Sequence, residues 1–429
     1  MQYRVGAFGF FYQGSQDAPG NMGLYDQALA LEWIKANIKS FRGDGNEITL
    51  FGESAGAGCV STHLISPVSR HIPKRAVLQS GAINAPWSNI SPQKSLEISE
   101  ALIQDCGCQD GSYKERMQCM LDLPASNISK AQWNSYWGIL GFPSSPTVDG
   151  EFLPRHPWEM LLDGDFSKID IIIGTNQDEG TFFILYDFLN YFKKDNPSFL
   201  TRENFVKVVE EIFLKQWPVS TIEMEAIKYQ YTDWEQVNDG FLNQKMIGDL
   251  VGDFFFVCPC NFFASQYAEH GNKVYYYYFN HRTSSNPWGD WMGVLHGDEI
   301  DYVFGVPLKL NKRYTEDETA LSRKIIKHYE HFAKTGNPVF EKGDSWPLYN
   351  KNRPQYYIWN ANIKGTGNGP HADACAFWNV FMPKLKTHNN TMTVKCGQPQ
   401  HLVSKLSTGA HVRTNIFVLF MFCASHLQY

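Results

Sequence analysis

The stretch Leu50-Phe-Gly-Glu-Ser54-Ala-Gly-Ala-Gly58 places a G-x-S-x-G pattern between two different kinds of local structure. Before the pattern, the β-branched and aromatic run Ile48–Phe51 predicts a short strand that ends at the first glycine. After it, small residues are followed by apolar positions at helical spacing, which predicts a helix. A strand, a tight turn that carries Ser54, and a helix therefore form the starting point for the rest of the chain.

The chemistry of this turn follows from its geometry. Flanking glycines remove Cβ clashes, so Ser54 can adopt a strained backbone conformation and hold its hydroxyl clear of the strand. The amide of Ala55 begins the helix and points the same way, where it can donate to a developing oxyanion. A chance match in a glycine-rich loop is the alternative, and the flanking strand and helix argue against it. The pattern therefore predicts a serine nucleophile.

Strand and helix signals alternate along the remaining sequence. Apolar residues at helical spacing predict helices over Leu24–Ile38 and Glu318–Ala333. Short apolar runs predict strands at Val5–Phe11, Arg75–Leu78, Ile169–Gly174 and Val274–Phe279. This alternation favours an α/β fold with a mostly parallel central sheet and helices on both faces.

The domain organisation is indicated by a loss of apolar periodicity after Leu385, which places a folded domain at residues 1–386 and a tail at 387–429. The apolar run Ile416–Ala424 in the tail is too short to span a bilayer. Small residues precede this run, as they do in a lipid-anchor signal, but the polar spacer is shorter than such a signal prefers. We therefore interpret the tail either as disordered or as a lipid-anchor signal. No signal peptide is visible after Met1.

Composition limits the function. The 429 residues are 43% hydrophobic and 15% aromatic, which is ample for a large core, and their formal net charge is −6. This balance offers no basic stripe for nucleic acid, and an acidic surface slightly favours cationic ligands. No spacing among the nine cysteines resembles a zinc site, and nothing in the sequence requires a metal or an organic cofactor.

A serine nucleophile needs an imidazole to take its proton and a carboxylate to orient that imidazole. Among thirteen histidines, His296 stands out because it lies late in the domain, in a loop with tryptophans before it and a glycine after it. The acid should precede this histidine and follow a strand. Asp178 and Glu179 both follow the predicted strand Ile169–Ile173, and position alone does not choose between them.

These residues belong to a set of motifs, spread from Tyr3 to Leu385, that resembles the type-B carboxylesterase and cholinesterase family. The most specific motifs are Asn21-Met-Gly-Leu-Tyr-Asp-Gln27, Phe51-Gly-Glu-Ser-Ala-Gly56, Val77-Leu-Gln-Ser-Gly81, Val148-Asp-Gly150, Asp178-Glu-Gly180, Trp291-Met-Gly-Val-Leu-His-Gly297 and Phe377-Trp378. The likeness is greatest to the cholinesterase branch, especially its arthropod members. It implies an α/β-hydrolase fold and a triad of Ser54, Glu179 and His296, because the family's acid is the glutamate of Asp-Glu-Gly.

The resemblance also implies a set of substrate-binding residues around the triad. They are Glu53, Trp87, Phe142, Phe182, Phe183, Tyr186 and Trp288. Phe182 would face a choline ammonium, because the face of an aromatic ring attracts a cation. The negative charge of Glu53 would favour binding of a cationic substrate. Tyr186 would sit near a constriction and Trp288 would line the gorge. Without the resemblance, each of these aromatic residues would be interpreted as ordinary core.

Two positions near the site differ from the residues that are usual in the family. Trp87, Phe142 and Phe183 would line an acyl pocket in which Leu140 replaces a usual aromatic residue and leaves more room. The family's cholinesterases often carry tyrosine after the His-Gly pair, whereas this chain has Asp298. The resemblance gives no account of that change.

The cysteines and the N-glycosylation sequons indicate in which compartment the protein is found. The resemblance pairs Cys108 with Cys119 and Cys258 with Cys375. Cys106 and Cys260 are close competitors for these bonds, and no family partner is evident for Cys59, Cys396 and Cys423. Sequons at Asn89, Asn127 and Asn389, taken with the cysteines, favour a secreted or cell-surface location outside the cell.

Members of the family extend upstream of the motif at Tyr3. The resemblance therefore implies that this chain lacks the first strands of the sheet, a glycine loop with the other oxyanion donors, and a choline-binding tryptophan. Loss of one oxyanion donor costs about 3–4 kcal/mol of transition-state stabilisation. On that basis we expect ester hydrolysis by this chain to be impaired.

Three functions compete. The first is hydrolysis of acetylcholine or related choline esters through an acyl-enzyme, with His296 serving Ser54 as general base. The second is a general carboxylesterase for uncharged esters. The third is a non-catalytic adhesion or binding protein of the same fold, and the presence of all three triad residues argues against it. A homodimer and a membrane-attached, lipid-anchored form are both compatible with the family.

Overall fold

Six strands build the central sheet in a computed structural model that describes residues 1–195, 197, 199–214, 219–309 and 313–387. The strands of these residues are β1 (Tyr12–Ser15), β2 (Ala18–Pro19), β3 (Thr49–Glu53), β4 (Arg75–Gln79), β5 (Asp170–Asn176), β6 (Val274–Phe279), β7 (Gln355–Trp359) and β8 (Thr366–Asn368). The sheet runs in the order β3 to β8. Its first five strands are parallel and β8 is antiparallel, while β1 and β2 form a separate antiparallel pair.

Helices surround this sheet. The α-helices of the described residues are α1 (Ala7–Phe10), α2 (Met22–Asn37), α3 (Ala55–Ile65), α4 (Pro92–Asp105), α5 (Tyr113–Asp122), α6 (Ala125–Ala131), α7 (Pro157–Asp163), α8 (Thr181–Asp187), α9 (Arg202–Leu214), α10 (Thr221–Gln230), α11 (Gly240–Gly252), α12 (Cys258–Glu269), α13 (Ile300–Val303), α14 (Glu316–Thr335) and α15 (Ala372–Ala376). Short π-helical turns follow α11 and α15. Met1–Lys386 is one compact unit.

Both faces of the sheet are buried, because alternate residues of each strand pack into different clusters. Leu78 and Ile173 face a cluster that contains residues of α3 and α12. Val77 and Ile172 face the opposite cluster, to which α14 contributes Leu321, Ile325 and Phe332. Every residue of β4 and β6 is buried as a result. The predicted α/β fold, with a mostly parallel sheet and helices on both faces, is confirmed.

Most predicted elements agree with the structure to within a few residues. The strand predicted at Val274–Phe279 is β6, and the helix predicted at Glu318–Ala333 is contained in α14. That helix begins at a capping box formed by Thr315 and Glu318, and it ends at Gly336 in the left-handed region, with φ of 77°.

The strand predicted at Val5–Phe11 is wrong. The segment bends at Gly6, with φ of 60°, and Ala7–Phe10 forms the single helical turn α1. The amides of Phe10 and Phe11 bond to carbonyls within the segment, and the amide of Ala7 donates to the side chain of Gln132. Its amides are therefore satisfied within the turn and by the side chain of Gln132 instead of in a sheet.

The run Gly240–Glu269 is the one helical stretch of the described residues that is long and apolar enough to cross a membrane. Of the most apolar 18 residues in this run, 83% are buried inside the protein, as expected for a core helix. It comprises α11, the π turn Asp253–Val257 and α12. Cys258 at the start of α12 forms a disulfide with Cys375 of α15, so this core run is tied to the end of the domain.

Candidate active site

Ser54 lies directly between β3 and α3, in a backbone conformation that few residues adopt. Its φ is 56° and its ψ is −121°, and its amide donates to the carbonyl of Gln79 at 2.8 Å. The turn needs glycine nearby: a Cβ at Gly52 would overlap the carbonyl group of Gly56, and one at Gly81 would collide with the carbonyl of Ser54. The strained conformation is therefore maintained by close backbone packing.

The surroundings of Ser54 suit nucleophilic attack. Ser54 caps the N-terminus of α3 without using its side chain as the cap, so the hydroxyl is free for other contacts. In the described part of the chain it makes no hydrogen bond to His296 or to any other residue. Ala55 is the first residue of α3 and its amide has no acceptor within the helix, so it can donate to an oxyanion beside Ser54.

Glu179 and His296 are joined by a short hydrogen bond. Nδ1 of His296 lies 2.6 Å from Oε2 of Glu179, whose side chain is completely buried. The other oxygen, Oε1, accepts from the hydroxyl of Ser80 and from the amide of Asn176, both at 2.6 Å. These two donors hold Oε1 and so orient Oε2 towards the imidazole.

The structure separates the two acids that position alone left equivalent. The side chain of Asp178 accepts from the amide of Val294 at 2.8 Å. Its own amide donates to the carbonyl of Val294 at 2.9 Å, so Asp178 anchors the backbone just before His296. Glu179 contacts the imidazole itself.

Three carboxyl groups determine the electrostatics of His296. Burial alone would lower the pKa of the imidazole, but the charge and hydrogen bond of Glu179, with smaller contributions from Glu53 and Glu299, raise it to about 9. On the opposite side of the ring, Nε2 lies 3.3 Å from Oε1 of Glu53, and both atoms are buried without a hydrogen-bond partner. Because Glu53 directly precedes Ser54, this contact places the imidazole close to Ser54 in the fold.

Glu299 is a fully buried carboxyl group next to this cluster. It accepts from the side-chain amide of Asn176 at 2.6 Å and from that of Gln79 at 3.1 Å. Burial, together with the charges of Glu53 and Glu179, raises the pKa of Glu299 to about 8. Glu299 is therefore mostly neutral at pH 7, which limits the repulsion among the three carboxyl groups.

A cavity of about 520 Å³ opens beside Ser54 and Ala55. Three of the expected substrate-binding residues line it, namely Trp87, Phe142 and Phe183, and Leu140 lines it as well. The indole nitrogen of Trp87 donates to the carbonyl of Phe255 at 2.8 Å, which fixes that ring in the wall. The lining is predominantly apolar, as expected of a pocket for an acyl group or an alkyl chain.

The other expected aromatic residues form a separate group of rings that does not line this cavity. Phe182 packs edge-on against Trp288 at 5.7 Å between ring centroids and also contacts Tyr186 at 4.9 Å. Phe183 connects the two regions, because its ring contacts both Phe182, at 5.6 Å, and the imidazole of His296, at 5.1 Å.

Several residues of the site were missed in the sequence. Phe256 lines the cavity, and its ring lies 4.6 Å from the imidazole of His296 and 5.7 Å from Trp87. Its only signal was the aromatic run before Cys258, which looks like ordinary core. Ser80 belongs to the quoted motif Val77-Leu-Gln-Ser-Gly81, but nothing local connects it to Glu179, 99 residues later.

The cysteines and sequons have definite positions. The structure contains both implied disulfides, Cys108–Cys119 and Cys258–Cys375, whereas Cys59, Cys106 and Cys260 are free. Asn127 is exposed on α6, and Asn89 is half-buried with its side-chain amide donated to the carbonyl of Ile83. Burial makes Asn89 a poorer glycosylation acceptor than Asn127. Asn389, Cys396, Cys423 and the apolar run of the tail lie outside the described residues.

Residues 1–378 match the carboxylesterase family. The chain belongs to the carboxylesterase family. Among the described residues of this carboxylesterase-family protein, no group of three or more histidine, cysteine or acidic side chains is arranged to hold a metal ion.

Three curated members of the family are similar over most of the chain. The acetylcholinesterase of Leptinotarsa decemlineata is 52% identical over 406 residues, which cover 92% of this chain and 64% of that protein. The acetylcholinesterase of Bungarus fasciatus is 41% identical, over 90% of this chain and 64% of its own length. That of Danio rerio is 37% identical, over 90% and 66%. The chain thus spans 64–66% of the length of these relatives.

Proposed function

We propose that this chain is a serine carboxylic ester hydrolase that acts through an acyl-enzyme at Ser54. The observation that carries the proposal is the 2.6 Å hydrogen bond from His296 to the buried carboxylate of Glu179, beside a strained serine. A buried, hydrogen-bonded carboxylate fixes the tautomer of an imidazole and stabilises the imidazolium that forms during acyl transfer. The similarity to three acetylcholinesterases supports the same reaction class.

The steps follow from the positions of the groups. Nε2 of His296 takes the proton of the Ser54 hydroxyl as Oγ attacks the ester carbonyl, and the amide of Ala55 donates to the resulting oxyanion. The imidazolium then returns its proton to the leaving alcohol. Water attacks the acyl-enzyme with the same imidazole as base, and the acid is released. In this structure Nε2 faces Glu53, so the bond to Ser54 has to form when substrate enters.

We further propose choline esters as the substrate class. The relatives are named acetylcholinesterases, and Phe182, Tyr186 and Trp288 supply the kind of ring cluster that binds a quaternary ammonium. Glu53, half-buried beside the triad, adds a nearby negative charge. An apolar cavity next to Ser54 provides space for the acyl group.

A second candidate is hydrolysis of uncharged esters, which the cavity itself favours. The residues that line it with Ser54 are mainly apolar or aromatic, and the ring cluster around Phe182 lies outside this lining. Acetylthiocholine and 3,3-dimethylbutyl thioacetate have nearly the same shape but differ by one positive charge. A kcat/KM at least tenfold higher for acetylthiocholine supports choline esters, whereas equal values support the general esterase.

The reaction class is tested with two serines that both stand at helix N-termini. Ser54→Ala should abolish thioester hydrolysis, because it removes the nucleophile. Ser112→Ala is the matched control: Ser112 caps α5 through its side chain, so its loss should cost about 1 kcal/mol of stability and leave hydrolysis intact. If neither the folded chain nor a chimera that adds the upstream segment of a relative hydrolyses either substrate, the third function, a non-catalytic binding protein, is favoured instead. Activity of the chimera alone would agree with the impairment expected above and keep the esterase function.

The disulfides support a further proposal about location. Cys108–Cys119 and Cys258–Cys375 are stable in an oxidising compartment, so we place the protein outside the cell, secreted or at the cell surface. Non-reducing mass spectrometry of the protein from its native source should find both bonds intact.

A further inference from the structure

Asp298 is a half-buried carboxylate two residues after His296, and neither the triad nor the family resemblance accounts for it. Its Oδ2 accepts from the amide of Leu295 at 2.9 Å and from the side-chain amide of Asn286 at 3.0 Å. Its own amide donates back to the carbonyl of Leu295 at 3.1 Å. Asp298 is therefore bonded to both the amide and the carbonyl of Leu295, and these bonds close a turn around the catalytic histidine.

These bonds define a tight turn with His296 and Gly297 at its centre. Gly297 has φ of 85°, which the third residue of a type II turn requires. Leu295 is 1% exposed, so its amide has little access to water if the Asp298 carboxylate is removed. The direction of the His296 side chain depends on this turn, because the imidazole projects from one of its two central residues.

The second bond connects the turn to the aromatic group. Asn286 donates to Asp298 and, through its Oδ1, accepts from the amide of Trp288 at 3.0 Å. Trp288 packs against Phe182, and the ring contacts continue through the neighbouring phenylalanine to His296. A closed chain of contacts thus leads from the imidazole through Asp298 to the ring cluster and back.

The charges around Asp298 are consistent with an acceptor at neutral pH. Burial raises the pKa of the carboxyl group, while the amide of Leu295, the charge of Arg282 and Asn286 oppose the rise, and the net value is about 6. Arg282 also donates to the carbonyl oxygens of Gly293 and Trp288, so it braces the same loop from the other side. Above about pH 6 the Asp298 carboxylate is ionised, and it accepts the hydrogen bonds from Leu295 and Asn286.

We propose that Asp298 is a positioning residue that holds the imidazole of His296 and the ring of Trp288 in one fixed relation. It touches no reacting atom and acts through the turn and through Asn286. The inference rests on the proposed function in assuming that the imidazole is the general base of an esterase. The placement of the imidazole can nevertheless be measured without any turnover.

The kinetic test compares three variants of the full chain with acetylthiocholine as substrate. Asp298→Ala leaves the amide of Leu295 without its acceptor, so kcat should fall about tenfold or more. Asp298→Asn keeps an oxygen that can accept both bonds, and should restore kcat to within about threefold of the wild type. Asn286→Ala frees Trp288 but preserves the bond to Leu295, so KM should rise more than kcat falls.

Asp239→Ala is the control for general loss of stability. Asp239 also accepts from two backbone amides, at the start of α11, but has no contact with the triad. It should lower the melting temperature while kcat and KM stay unchanged. Equal kcat values for Asp298→Ala and wild type would overturn the proposal, as would an Asp298→Asn variant as impaired as Asp298→Ala.

A second readout does not depend on activity. The proton that His296 donates through Nδ1 to Glu179 should give a low-field proton resonance, assigned by its absence in His296→Gln. This signal should be weakened or lost in Asp298→Ala and retained in Asp298→Asn and Asp239→Ala. If both the chain and the chimera that adds the upstream segment prove inert towards esters but the signal follows this pattern, the proposed function fails and the positioning role stands. An unchanged signal in Asp298→Ala refutes the positioning role in either case.

Discussion

The two halves of the site are positioned by different means. Around His296, side chains from separate parts of the chain form a dense network, in which Glu179 accepts three hydrogen bonds of 2.6 Å. Ser54, in contrast, is positioned by backbone alone: a strained φ, a bond from its amide to Gln79, and close contacts with glycines. The base half should therefore be sensitive to loss of charge and hydrogen bonds, and the nucleophile half to added volume.

The largest expected effect is on the base half. Glu179→Gln keeps the shape of the side chain but removes the charge that stabilises the imidazolium, so kcat for thioester hydrolysis should fall about 10⁴-fold. Glu318→Gln is a matched control, because Glu318 is also buried and also bonds a histidine, His281 at 3.2 Å. It should lower the melting temperature without this loss in kcat. Similar kcat values for the two variants would contradict the assigned role of Glu179.

The nucleophile half is probed by two glycines of one motif. A methyl group at Gly52 would overlap the carbonyl group of Gly56, whereas one at Gly56 would have no atom within 4 Å. Gly52→Ala should displace Ser54 and reduce kcat about 10²-fold, since a shift of about 1 Å has that effect on reacting groups. Gly56→Ala should be nearly neutral. Equal losses in the two variants would show that the turn is not fixed by this contact.

Glu299 offers a smaller effect that is visible in stability. Its folded-state pKa of about 8 lies above the ordinary glutamate value, so its contribution to stability is complete below about 4.5 and is lost as pH rises through 8. The free energy of unfolding of the wild type, relative to Glu299→Gln, should therefore decline between pH 5 and 8, by at most about 1.4 kcal/mol per pH unit. Urea titrations at several pH values measure this difference. A constant difference would mean that Glu299 is ionised in the folded protein.

The smallest effect is a shift in the pH profile. Hydrolysis needs the neutral imidazole, so kcat/KM should rise with pH through the pKa of His296, about 9. The charge of Glu53 helps to raise that pKa, so Glu53→Gln should move the midpoint of the profile to lower pH. Glu203→Gln, which removes an exposed charge on α9, should leave the midpoint in place. A midpoint that moves to higher pH in Glu53→Gln would refute the electrostatic account.

The same contrast explains what could be predicted from the sequence. Ser54 depends on a local turn, and local glycine patterns indicate such a turn directly. Glu179 and His296 are 117 residues apart, and spacing alone left Asp178 equally suitable. The family's Asp-Glu-Gly motif named Glu179, and the structure shows the contact. Glu299 remained undetected because its role arises from burial next to Glu53 and Glu179, which no periodicity reports.

The error at Val5–Phe11 has a related cause. A short apolar and aromatic run is compatible with a strand or with a buried helical turn, and the neighbours in space decide between them. β3 has only β4 as a partner in the described residues, and the segment bonds its amides within its own turn and to the side chain of Gln132. For β4, β5 and β6, which each pack between two other strands, the sequence prediction agreed with the structure, whereas no strand was predicted for β7, between β6 and β8.

The disulfide Cys258–Cys375 has a consequence for the integrity of the site. It closes a covalent ring with a sequence separation of 117 residues, and His296 and Asp298 lie inside that ring while Ser54 and Glu179 lie outside it. A protease that cuts one peptide bond between positions 258 and 375 therefore opens the ring without releasing a fragment. When the cut follows His296, the histidine stays on the same fragment as Ser54 and Glu179. When the cut precedes His296, the disulfide alone keeps the histidine covalently attached to that fragment, until the disulfide is reduced.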